Sequence, residues 1–166
     1  IIPSYPDKTL IEELRDLGFN QIYELNSFDV VQLSDRLRVQ IIIQDRPNWH
    51  DSALIVEVDG KVILNQNDCK LSQPQIERVK KLYSKIDLLC VQFSPANWYP
   101  LVYGYEGEEL NKIKQDRVRG CLKMFESFVV GFNPEHVFPY AGPPSFLDSD
   151  MLQFSLGDDS MFPMPT

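Results

Sequence analysis

Apolar positions along this chain switch between helical and alternating periods, and the switches mark its elements. Leu10, Ile11, Leu14 and Leu17 recur at helical spacing behind Asp7, a capping residue type, and Gly18 supplies the stop. Short strands are expected over 21–25 and 29–33. A stronger one runs from Leu37 to Gln44, where Val39, Ile41 and Ile43 are set against Arg38, Gln40 and Ile42. Asp45-Arg46-Pro47-Asn48 reads as a loop, because proline removes a ladder donor and Asp and Asn favour turns. Ala53 to Val58 and Lys61 to Leu64 are aliphatic, β-branched arms joined by Asp59-Gly60, a dipeptide suited to a type I′ turn.

Further along, Ile76, Val79 and Leu82-Tyr83 share one side of a helix over 73–84, with Glu77, Lys80 and Lys81 on the other. The unbroken run Ile86 to Phe93 predicts a strand buried on both faces. Leu110, Ile113, Arg117, Cys121, Met124, Phe125 and Phe128 predict a long helix over roughly 108–130, ended by Gly131 to Pro134. His136 to Tyr140 is a last short strand, and Ala141-Gly142-Pro143-Pro144 is a compact turn. The tail over 149–166 has no periodicity and is expected to be irregular. No internal repeat or low-complexity tract occurs.

The stretch from Asn48 to Leu71 organises the rest. Antiparallel arms return to where they began, so His50 and Asp51 before the first arm should meet Asn65, Asn67 and Asp68 after the second. A polar cluster at one sheet edge follows. His50, Asp51 and Asp68 are the residue types that hold zinc, iron or manganese, although Asp and Asn at strand ends equally serve as turn formers. Cys69 reads as a small buried hydrophobe. Trp98, Tyr99, Tyr103 and Tyr105, in an aromatic loop past the run at 86–93, either wall a ligand or cap the core. Lys80-Lys81 and Glu108-Glu109 read as solvated faces.

The composition narrows the classes. The 166 residues, 43% hydrophobic and 24% charged, suit one globular domain, 1–166, or a fragment of one. A net charge of −8 argues against nucleic acid as a partner. Three cysteines with no paired spacing fit a reducing, cytoplasmic setting, and no run of about 18 apolar residues predicts a membrane span. The chain opens on Ile1-Ile2-Pro3 without Met, as if a buried strand ran into a turn, and a piece of something longer is expected.

The order Asp51-Ser52-Ala53-Leu54-Ile55-Val56, Gly60, Ile63-Leu64-Asn65-Gln66-Asn67-Asp68-Cys69, then the aromatic loop, the long helix and Pro139-Tyr140-Ala141-Gly142, resembles the metallo-β-lactamase fold superfamily. The likeness covers roughly residues 1–148. More narrowly it is similar to the branch that holds the C-terminal domain of CMP-N-acetylneuraminate hydroxylase, with lactonase-like and phospholipase-D-like relatives. The resemblance implies an α/β fold, about the second half of an αββα sandwich, with a mixed sheet and flanking helices. It implies Asp68 as the metal-bridging ligand, His50 or Asp51 as a second contributor, and Trp98, Tyr99, Tyr103 and Tyr140 as the substrate wall. The superfamily's His-x-His-x-Asp-His loop is absent, since the chain holds only His50 and His136, and Tyr140 stands where the last His belongs. On this resemblance the missing loop is expected to lie upstream of Ile1, which makes the chain a truncation. A half sandwich exposes an apolar sheet face, so the implied partner is the upstream half of the same domain or a second chain. The implied function is a metal-dependent hydrolase or an iron-dependent oxygenase acting on a small molecule, with Zn or Fe as cofactor. The alternative is a non-catalytic scaffold or binding domain that keeps the fold without the centre.

Overall fold

A computed structural model describes residues 1–46, 51–93, 99–100 and 103–141. The elements in order are β1 (Ile2–Pro3), α1 (Thr9–Asp16), β2 (Glu24–Leu25), β3 (Val30–Ser34), β4 (Leu37–Ile43), β5 (Ser52–Val58), β6 (Lys61–Asn65), α2 (Gln73–Leu82), β7 (Leu88–Gln92), α3 (Gly107–Phe132) and β8 (His136–Tyr140). β1 and β2 form a small parallel pair, and the others make one six-stranded sheet in the order β3-β4-β5-β6-β7-β8. β3 through β6 are antiparallel neighbours and β6 pairs β7 in parallel, so the sheet is mixed and the α/β expectation holds.

Local chemistry accounts for the helix ends. Asp7 accepts the Thr9 backbone N–H at 2.9 Å, satisfying an early orphan donor of α1. At its other end, Gly18 has φ +92° and donates to the Arg15 carbonyl at 2.9 Å, while Phe19 donates to Leu14 at 3.0 Å. Those two bonds form a Schellman close, which favours glycine at the left-handed position. α2 opens with Ser72 donating its N–H to Gln75 Oε1 at 3.1 Å, and Pro74 stands in the first turn where a missing N–H costs nothing. Asn133, with φ +48°, donates to Val129 at 2.8 Å and closes α3.

Two compact units divide the chain. One holds Ile1–Cys90 with Pro134–His136, and the other holds the described residues of Val91–Asn133 and Val137–Thr166. In the first unit, the register decides which face of the sheet is core. Ile42 lies opposite Ala53, Ile55 opposite Leu64, and Leu64 opposite Leu89. All five side chains are at most 1% exposed. Tyr83, just past α2, reaches Gln40 on this face at 3.5 Å, and Ile76 and Val79 of α2 are buried. The reverse face carries Val31, Val39, Ile41, Leu54, Val56, Ile63, Leu88 and Cys90, and it is covered unevenly: Ile41 is 6% exposed, Leu54 37%, and the others are half-buried. In the second unit α3 buries Phe128 and Phe132, and its stripe from Leu110 to Phe125 is half-buried.

Two expectations need correction. The strand at 21–25 shrinks to Glu24–Leu25, because it pairs only with the two residues of β1. The run at 86–93 is not covered on both sides: within β7, Leu89 and Val91 are buried while Leu88, Cys90 and Gln92 are half-buried. A continuous apolar run reports hydrophobicity on both faces, whereas burial needs a layer against each. Asp87, just before β7, accepts the Val62 N–H at 2.9 Å and Lys61 Nζ at 2.8 Å, and Lys85 adds a further ion pair at 3.2 Å. The Lys61 bond, aided by the Val62 N–H, holds its carboxyl well below the usual carboxylate range.

Adjacent residues on opposite faces should therefore respond differently to truncation. Ile55→Ala opens a cavity in the covered face and is expected to cost about 2–5 kcal/mol, against about 1 kcal/mol or less for Leu54→Ala, both read by urea denaturation.

Candidate functional site

The β5–β6 hairpin sets the geometry of the acidic cluster. Asp59 and Gly60 have φ +51° and +74°, two successive positive values that match the expected type I′ turn. Val58 pairs with Lys61 and Leu54 with Asn65, so the arms stay in register to the open end. An ion pair between Arg36 and Asp59 clips the β3–β4 turn to this tip. Asp51 precedes β5 by one residue and Asp68 follows β6 by three.

The structure brings Asp51 and Asp68 within electrostatic reach of each other. Burial is the main cause of a raised Asp51 pKa; the Ser52 N–H, donated to its Oδ1 at 2.8 Å, opposes the rise, the Asp68 charge adds to it, and Lys70 also opposes it. Asp51 is half-buried and Asp68 exposed. Tyr5 joins them from the N-terminal segment: it hydrogen-bonds Ser52, and burial followed by the Asp51 charge raises its phenol. Cys69 is 1% exposed, and its thiol is pushed up to about 12, first by burial and then by Asp51. A thiol held neutral in this way is neither a nucleophile nor a ready ligand, as its reading as a buried hydrophobe implied.

The turn that presents Asp68 is held from below by a residue that the sequence did not single out. Gln66, 1% exposed, donates its side-chain amide to the Cys69 carbonyl at 2.8 Å, while its own N–H reaches the Cys90 carbonyl at 2.9 Å. Asn65 Oδ1 accepts the Asn67 N–H at 3.1 Å, and Asn67 takes φ +52°. Gln44 does the same work on the facing side. Its backbone N–H meets the Asp51 carbonyl at 2.9 Å and its Oε1 accepts the Lys70 N–H at 2.9 Å. Glutamine carries no periodic signal, and only the pairing of the strands shows these amides to be buried.

His50 lies outside the described residues, as does Trp98. Among the described residues no group of three His, Cys, Asp or Glu side chains comes together as a metal site. His136 stands on β8 with its Nε2 4.0 Å from Glu135, and its backbone N–H bonds the Asp87 carbonyl. In the second unit, Tyr99 and Tyr103 do meet, edge to face with centroids 5.1 Å apart, and Tyr105 stacks on Tyr103 at 6.3 Å. The Arg117 guanidinium carbon lies 5.6 Å from the centre of the Tyr99 ring. Tyr140 closes β8, where its carbonyl accepts the Phe93 N–H at 3.4 Å.

With this geometry in view, the chain can be set against known proteins. No family model matches it. It is 27% identical over 165 residues to a protein of Mycolicibacterium smegmatis provisionally named a Rieske 2Fe-2S iron-sulfur protein, covering 96% of this chain and 31% of that one. A similarly named protein of Mycobacterium tuberculosis is 27% identical over 173 residues, covering 98% of this chain and 32% of its own length. The chain thus spans about a third of the length of the curated relatives it matches. Among solved structures, a variant of the CmlA beta-hydroxylase superposes with a TM-score of 0.60 at 14% identity, over 84% of this chain and 31% of that one. This shows a shared fold. The metallo-beta-lactamase fold protein YhfI of Bacillus subtilis is a looser match, with a TM-score of 0.42 at 13% identity over 83% of this chain and 62% of that one. No helix among the described residues is long and apolar enough to cross a membrane.

Proposed function

We propose that the chain is part of a metal-dependent enzyme domain of the metallo-β-lactamase type, with Asp68 and Asp51 as its contribution to an iron or zinc centre. The observation that carries this reading is the carboxylate pair at the open end of the hairpin, where burial and then the Asp68 charge make Asp51 costly to ionise, against the opposing Ser52 N–H and Lys70. A divalent cation would remove that cost, and carboxylate oxygens suit Fe²⁺, Mn²⁺ and Zn²⁺. Two carboxylates supply only part of a coordination shell. His50, next to Asp51 in sequence, is the further donor from this chain, and the remaining ligands come from other segments of the protein. When bound, the metal would supply an activated water or a site for oxygen chemistry. The chain's own residues then hold it: Gln66 fixes the turn bearing Asp68, and Gln44 fixes the segment bearing Asp51.

The fold shared with a beta-hydroxylase and the iron in the names of the mycobacterial relatives both favour iron over zinc. The Rieske cluster itself does not fit the described residues. It requires two cysteines and two histidines on one cluster. Here Cys69 is buried with a high thiol pKa, and neither Cys90, Cys121 nor His136 belongs to a three-ligand group. The rival reading, a scaffold without a working centre, draws on the same absence of a three-ligand group among the described residues. Metal analysis of the intact protein separates the two. Iron or zinc is expected at stoichiometric amounts and lost in Asp68→Ala, with a matching loss of the metal-dependent rise in Tm. A metal-free intact protein whose Tm ignores added Fe²⁺ and Zn²⁺ would establish the scaffold instead.

The half-covered sheet face supports a partner, either the upstream half of the same domain or a second chain. Val39, Leu54, Val56, Ile63 and Leu88 form a contiguous apolar surface across four neighbouring strands. Soluble monomers seldom leave such a surface open. Size-exclusion chromatography of the isolated chain should show self-association that Leu54→Lys reduces. A monomer that unfolds cooperatively and is indifferent to Leu54→Lys would remove the partner from the account.

A further inference from the structure

A second polar feature in the first unit is a cleft of about 520 Å³, formed where the end of β4 and the turn before β3 face the first turns of α2. Its walls include Phe28, Ile43, Gln44, Asp45, Pro74 and Arg78. This volume falls within the range of small-molecule sites. Three observations set it apart from an ordinary surface groove. The Arg78 guanidinium carbon lies 3.7 Å above the centre of the Phe28 ring, and none of the ion pairs among the described residues involves Arg78. Stacking uses the face of a guanidinium and leaves its in-plane N–H donors available for a bidentate acceptor. Gln44 is 4% exposed, and while its Oε1 is bonded to Lys70, its Nε2 has no hydrogen-bond partner among the described residues. A buried amide left without an acceptor is costly. Phe28 holds its ring under Arg78 from a backbone with φ +74°, a conformation strained for a bulky side chain.

We infer that this cleft binds a small monocarboxylate that carries its own hydrogen-bond donor, an amino or hydroxy acid with an apolar body. The carboxylate lies in the plane of the Arg78 fork and takes its paired N–H donors. Charge favours a monoanion over a phosphate. One cation and one anion, Arg78 and Asp45, line the wall, so a dianion would meet no net positive charge. Asp45 Oδ2 accepts the Ser72 hydroxyl at 2.6 Å, and the other lone pairs of its carboxylate can take an ammonium or hydroxyl hydrogen from the ligand. Phe28, Ile43 and Pro74 form the apolar wall against which the body packs. The site requires no metal, and so stands or falls apart from the carboxylate pair of Asp51 and Asp68.

Calorimetric titration of the protein with L-phenylalanine, L-phenyllactate and inorganic phosphate tests the assignment, together with mass-spectrometric mapping of phenylglyoxal modification at Arg78. At least one of the two carboxylates should bind saturably, with Kd about millimolar or tighter, and shield Arg78 from modification, while phosphate does neither. Arg78→Gln, on an exposed helix position, should weaken that binding about tenfold or more and leave the circular dichroism unchanged. Binding of only one acid would identify the donor that Asp45 accepts. Phosphate binding as tight as the acids, an affinity unmoved by Arg78→Gln, or no binding of either acid would overturn the assignment.

Discussion

The register of the β5–β6 hairpin is the constraint on which the first unit depends. Side chains alternate along a strand, so a slip of one residue would send Ile55 and Leu64 out of the core and Leu54 and Ile63 into it. Two successive left-handed residues, Asp59 and Gly60, pin the register at the tip. From that one fixed point follow the face that holds the core, the half-covered face, and the return of Asp68 toward Asp51 at the open end.

Buried glutamines then convert a sheet edge into a shaped site. Gln40 donates to the Phe28 carbonyl at 2.8 Å, Gln75 to the Ile43 carbonyl at 2.7 Å, Gln66 to Cys69, and Gln44 accepts from Lys70. Gln40 and Gln75 tie the segment before β3 and the start of α2 to β4, while Gln66 and Gln44 hold the turn after β6. Each such bond contributes about 1 kcal/mol net, but leaving its buried partner unmatched would cost more, so the set specifies one loop arrangement. Gln44 belongs to both polar features of this unit, since it fixes the Asp51 strand through its backbone and lines the cleft beside Arg78.

The parts of the fold legible in the sequence were those with a strong local signal. Asp59-Gly60, Gly18 and the stripe of α3 each announce a backbone conformation or a period, and the structure has the hairpin, the helix stop and the long helix accordingly. The meeting of Asp51 with Asp68 was legible too, because it follows from pairing alone. What depends on distant contacts was hidden. Nothing local says that Tyr5 reaches Ser52, that Gln66 is buried, or that β7 is fully covered on one side only. Nor does any local feature place Arg78 over Phe28, since the two are 50 residues apart in sequence and meet only when α2 comes against the turn before β3.

The proposed pairing of Asp51 with Asp68 for a cation shows most directly in the ionisation of Asp51. With its folded pKa raised above the unfolded value of about 4, its contribution to stability is complete below that value and is lost as pH rises through the folded one. A carbon-13 NMR titration of the Asp51 carboxyl should find a raised pKa that falls in Asp68→Asn and falls further, with proton release, when Fe²⁺ or Zn²⁺ is added. An Asp51 that titrates at the ordinary aspartate value, unmoved by Asp68→Asn and by either metal, would contradict the account.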